Sequence, residues 1–132
     1  MPRRIAVLVL VAAAIGGCGE PVDLPNRTDP AVQAEEARIA AVLESTDDIW
    51  VPGPCEVRLL GQEGATSYAW ANCEGYEADD LPEKSGWGGP VRIDGDRVSQ
   101  PRDGNLNGTD IREMFPVELA DVIFAGDERI YP

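Results

Sequence analysis

Cys55-Glu56-Val57-Arg58-Leu59-Leu60-Gly61 and Ser67-Tyr68-Ala69-Trp70-Ala71-Asn72-Cys73 flank the polar turn Gln62-Glu63-Gly64-Ala65-Thr66, and this stretch decides the fold. Aliphatic and aromatic residues on both sides of a glycine-bearing turn read as two antiparallel strands. Centring the hairpin on Gly64 sets Cys55 opposite Cys73, Val57 opposite Ala71 and Leu59 opposite Ala69 on one face. Arg58 then faces Trp70, and Leu60 faces Tyr68, on the other. The cysteine side is the small apolar face, suited to receiving a helix. This register supports a disulfide between Cys55 and Cys73, a staple that closes a loop and stabilises the fold by about 3 kcal/mol in the chain-entropy account.

Upstream, Asp29-Pro30 is a helix start signal, with Asp29 free to cap backbone N–H groups and Pro30 at the first helical position. Ala31 to Ser45 follows without internal Gly or Pro, and Val32, Ile39, Val42 and Leu43 form a stripe for the sheet. Glu35 and Glu36 suit the positive end of the helix dipole. Downstream, Glu74 to Gly89 reads as a long acidic, glycine-rich loop carrying Glu77, Asp79, Asp80, Glu83 and Gly86-Trp87-Gly88-Gly89. A second hairpin follows, Pro90 to Ile93 and Asp96 to Ser99, joined by Asp94-Gly95 in a two-residue turn. Thr109 to Phe115 reads as a short helix stopped by Pro116, and Val117 to Phe124 as another. The expected fold is therefore α+β: an N-terminal helix packed on a three- or four-stranded antiparallel sheet of two hairpins, with short C-terminal helices. Helix followed by antiparallel hairpins resembles cystatin-like folds, a likeness of fold that implies no function.

The chain has no histidine among its 132 residues, which removes Ser-His-Asp and Cys-His nucleophile systems and histidine-bearing zinc sites. Its formal net charge of −13 argues against a nucleic-acid partner or adsorption to a bare anionic lipid surface. The chemical pattern with most detail is Asp103-Gly104-Asn105-Leu106-Asn107-Gly108, which matches the first half of an EF-hand calcium loop. The match then breaks, because Met114 stands where the loop needs its final acid and Asp110 where an aliphatic residue belongs. An Asn/Gly-rich turn into a Thr109-capped helix accounts for the same residues. Tyr68, Trp70 and Trp87 are a possible aromatic patch for a protein or glycan, with cover by Phe115 and Phe124 as the alternative. With 24 acidic residues, some pair lies close by chance, so a small carboxylate-dependent hydrolase needs an opposed pair in a cleft.

The N-terminus supplies an address. Arg3 and Arg4 precede an apolar run from Ile5 to Ile15, too short to span a bilayer, followed by Gly16-Gly17-Cys18. Ile15-Gly16-Gly17-Cys18 resembles the bacterial lipobox. That resemblance implies a diacylglycerol on the Cys18 thiol, cleavage before it, and a two-chain lipid that holds the protein at a membrane. Residues 1–17 would be signal peptide, 18–28 a lipidated tether carrying Pro21 and Pro25, and 29–132 one domain. Loss of residues 1–17 takes away two arginines and no acid, so the mature chain is more acidic still. Spending Cys18 on lipid leaves Cys55 and Cys73 in an oxidising compartment, where they pair. Arginine in place of lysine, with Lys84 the lone lysine, is similar to actinobacterial usage, and the pattern from Tyr68 through Phe115-Pro116 resembles small secreted domains of that type. The expected function is a non-catalytic binding or scaffolding domain on the extracytoplasmic face of the cell membrane. It needs no cofactor, and its partner is an envelope protein or glycan. A calcium-responsive module using Asp103, Asn105 and Asn107 is the alternative.

Overall fold

The structure, a computed structural model, describes residues 22–75 and 86–132. Helix α1 (Pro30–Ser45) is followed by strands β1 (Cys55–Glu63), β2 (Thr66–Glu74), β3 (Gly86–Asp94) and β4 (Arg97–Ser99), then by helices α2 (Asn107–Met114) and α3 (Val117–Ala125). Short 3₁₀ turns at Gly104–Leu106 and Glu128–Ile130 bracket the last two helices. The strands form one antiparallel sheet in the order β1-β2-β3-β4. The architecture is α+β, in three layers.

The first layer is α1. Asp29 caps it, its Oδ1 accepting from the Ala31 N–H at 2.8 Å, with Pro30 at the first position as expected. Ile39 and Leu43 are fully buried against Val57, Leu59, Ala69, Ala71, Cys73, Val91, Ile93 and Val98, with Val32 and Val42 at the margin. The Cys55–Cys73 disulfide lies on this same face of the sheet. Glu74 N–H donates to Pro54 O, so the cysteines occupy a non-hydrogen-bonded pair, where side chains of facing strands come closest. The third layer is built from α2, α3 and the C-terminal turn. Ile111, Phe115, Leu119, Val122 and Ile130 pack on Leu60 and Tyr68 from the other sheet face.

Three expectations need correction. In the first hairpin the register holds from Cys55–Cys73 to Leu59–Ala69 but then shifts, so that Gly61 rather than Leu60 faces Tyr68. Leu60 is the extra residue of a β-bulge, and the turn tightens to Gly64-Ala65 with Gly64 at φ +59°. The bulge turns Leu60 into the second core and brings Gly61 beneath Leu119. In the second hairpin the turn is Gly95-Asp96, one residue later than expected, and Asp94 pairs with Arg97. Asp94 is held in the ladder by Thr66 Oγ1 at 2.6 Å and Arg92 Nε at 3.0 Å, which leaves Gly95 to take the positive φ of +67°. Gly86 to Gly89, expected as loop, belongs to β3 opposite Glu74 to Ala71. A side chain at Gly88 would meet Asn72 Oδ1 at 2.7 Å, the atom that accepts from Trp70 Nε1, and would have to displace that amide. Pro90 is tolerated in the same strand because β4 pairs only with Arg92 to Asp94.

A carboxylate accepts from one outward N–H on each outer strand of the sheet. Leu59 N–H, at the β1 edge, donates to Glu36 Oε2 at 2.8 Å, and Val98 N–H, on β4, donates to Asp48 Oδ2 at 2.9 Å. Glu35 and Glu36 thus serve the sheet rather than the start of the helix: Glu35 accepts from Ser67 Oγ at 2.8 Å and pairs with Arg38.

Candidate functional site

Cys18, the signal peptide at 1–17 and the loop acids Glu77, Asp79, Asp80 and Glu83 lie outside the described residues. The stretch expected as tether is described from Val22 onward, and it is docked. Val22 and Leu24 pack on the second core. Arg58, buried in β1 at 5% exposure, donates to three backbone carbonyls: Pro25 O at 2.8 Å, Leu59 O at 3.0 Å and Arg129 O at 3.2 Å. Arg129 in turn donates from Nη1 to Val22 O at 3.0 Å while pairing with Asp127. One guanidinium therefore ties the incoming and outgoing segments of the chain to β1. Burial lowers the Arg58 pKa, Glu36 opposes that, and Arg27 and Arg129 add to it. Sequence reasoning placed Arg58 opposite Trp70 and missed this role; the signal was an arginine inside the run Val57-Arg58-Leu59-Leu60.

A groove of about 270 Å³ opens beside Val22, lined by Leu60, Tyr68, Pro116, Leu119 and the carboxylates of Glu63 and Glu118. Tyr68 Oη donates to Glu63 Oε2 at 3.4 Å. Burial, followed by the Glu63 charge, pushes the Tyr68 phenol upward, so it stays protonated at neutral pH. A second groove, about 350 Å³, lies below β4 between Asp48, Ile49, Val98 and the segment Ser99 to Asp103. The carboxyls of Glu35, Asp94, Asp110 and Asp127 are all held below their ordinary values by hydrogen bonds, the direction of structural pairing rather than of a proton donor.

The calcium-loop residues do not keep a loop. Gly104 to Leu106 is a 3₁₀ turn that runs straight into α2, and Asn107 is the first residue of that helix. Asp110, available to complete a shortened loop, is instead gripped by Arg102 through its backbone N–H at 2.8 Å, Nε at 2.8 Å and Nη2 at 2.9 Å. Arg102 holds its pKa down at about 2. Among the described residues no group of three or more carboxylate or cysteine side chains is assembled for a metal ion. Thr109, expected as the cap, lies inside α2.

The aromatic patch also dissolves. Tyr68 is 5% exposed and packs against Phe115 with ring centroids 5.6 Å apart and planes tilted by 51°. Trp87 faces the α1 side opposite Cys73, whereas Trp70 faces the other side, edge-on to Tyr131 at 4.9 Å. Phe124 covers neither tryptophan; it carries the Arg112 guanidinium at 4.5 Å over its ring. The exposed indole is Trp50, in the link from α1 to β1.

No protein family, characterised protein or solved structure matches the chain. Among the described residues no helix is long and apolar enough to cross a membrane.

Proposed function

We propose that this chain is a lipid-anchored lipoprotein of the bacterial cell envelope, whose folded domain binds or scaffolds another envelope component without catalysis. The observation that carries the reading is Cys18 directly after Ile15-Gly16-Gly17, behind a basic and then apolar leader. Diacylglycerol on that thiol supplies the two chains that stable anchoring needs. The Cys55–Cys73 bridge accords with export to an oxidising compartment. A chain without histidine, whose perturbed carboxyls are lowered by arginine and hydroxyl partners, fits a binding role better than acid-base chemistry.

Expression of the full chain in a bacterium, beside Cys18→Ser, tests this. The parent should lose residues 1–17, gain the mass of a diacylglycerol and enter the detergent phase on cloud-point partitioning. The Cys18→Ser chain should keep its leader or leave the membrane fraction. An unmodified Cys18 in the aqueous phase would sink the proposal.

A further inference from the structure

We infer that the side of the domain carrying Val22, Arg129 and Tyr131 is held facing the bilayer, and that the α1 layer is turned away from it. This rests on the lipidation of Cys18 proposed above. Only Gly19, Glu20 and Pro21 separate Cys18 from Val22, and Val22 is already fastened to the domain by Arg129 and by packing on the second core. Four peptide links reach at most about 14 Å when fully extended. A flexible tether of eleven residues would let the domain tumble; one this short does not.

The aromatic side chains on that side suit the headgroup zone of a lipid surface. Charge around the docked segment is mixed: Arg27 and Arg129 are exposed there beside Asp23 and Glu128, and Arg129 is paired with Asp127. Tyr131, 39% exposed, is paired with the half-buried Trp70, and aromatic rings with a polar edge favour the headgroup zone. On the far side of the sheet, α1 exposes Gln33, Ala34, Ala37, Arg38, Ala41 and Glu44.

The test uses the full lipidated protein in phosphatidylethanolamine/phosphatidylglycerol vesicles with a headgroup-attached quencher. A fluorophore is placed through Glu128→Cys on the Val22 side and, in a separate sample, through Ala37→Cys on α1. Quenching several-fold stronger at 128 than at 37 is expected, and a twenty-residue Gly/Ser insertion before Val22 should erase the difference. Equal quenching at both positions in the uninserted protein, or a difference that survives the insertion, would overturn the inference while leaving the anchor intact. Intact mass is measured first, and a chain without diacylglycerol would overturn the anchor and the orientation together. A second pair, Glu118→Cys against Ala34→Cys, guards against one labelled variant failing to fold.

Discussion

The two faces of the sheet are built on different terms. Under α1 the contacts are aliphatic and made by regular elements: Ile39 and Leu43 meet Val57, Leu59, Val91 and Ile93, and the disulfide joins β1 to β2 at that face. On the other face the core is completed by irregular chain, with Val22, Leu24 and Ile130 packed around Tyr68 and Leu60 and held by a buried arginine. The first face follows from periodicity and burial alone. The second depends on one polar hub, so its failure should be local and abrupt, where failure of the first should weaken the molecule as a whole.

The largest effect belongs to the hub. Arg58→Met leaves the buried carbonyl of Leu59 and the half-buried carbonyls of Pro25 and Arg129 without their donor, and a fully buried acceptor left unpaired costs about 1–3 kcal/mol, less where water reaches it. A loss of about 4 kcal/mol in urea unfolding is expected. Fast hydrogen exchange should appear near Val22–Pro25 and at 128–130 before it appears in α1. Uniform acceleration throughout the sheet would mean the two faces do not differ in this way. Next comes Leu43→Ala, which empties a fully buried site under α1 and should cost about 3 kcal/mol, with no preferential release of the Val22 segment. Asp29→Ala removes the cap of α1 and should cost about 1 kcal/mol, readable as a shift in the urea midpoint at unchanged slope.

The smallest effect is expected at the Arg102–Asp110 pair, in which the arginine is exposed and the carboxylate largely buried, and it carries a pH signature. The Asp110 carboxyl has a folded pKa of about 2 against an ordinary 3.8, so its contribution is present above pH 3.8 and is lost as pH falls toward 2. Asp110→Asn should therefore differ from the parent at neutral pH and converge with it in acid. A gap that stays constant from pH 5 to pH 2 would show that the charge is not what matters there.

Much of the fold was legible. The cap at Asp29-Pro30, the stripe on α1, the Cys55–Cys73 register and the short helices around Pro116 all followed from local signals. The errors have physical causes. Counting residues cannot reveal a bulge whose reason is tertiary, namely the seat of Leu119 over Gly61. Gly86 to Gly89 reads as loop because glycine is a poor strand former in isolation, yet here the stretch pairs with β2 and Gly88 leaves room for the Asn72 side chain. Asp94-Gly95 is a favoured turn pair, but side-chain bonds from Thr66 and Arg92 kept Asp94 in the strand. The docking of Val22 to Pro25 was invisible because its partners come from β1 and from residues more than one hundred positions away, with no periodicity to announce them.

The carboxylates at the sheet edges bear on life at high density. A lipid confines a protein to two dimensions, where neighbours meet far more often than the same number of molecules in solution. An open strand is then a standing invitation to polymerise. Glu36 on β1 and Asp48 on β4 already occupy the outward N–H groups of Leu59 and Val98. With the proposed anchor, a strand approaching at Leu59 or Val98 would have to displace a charged acceptor, so edge-to-edge pairing at those two points is resisted when copies crowd together.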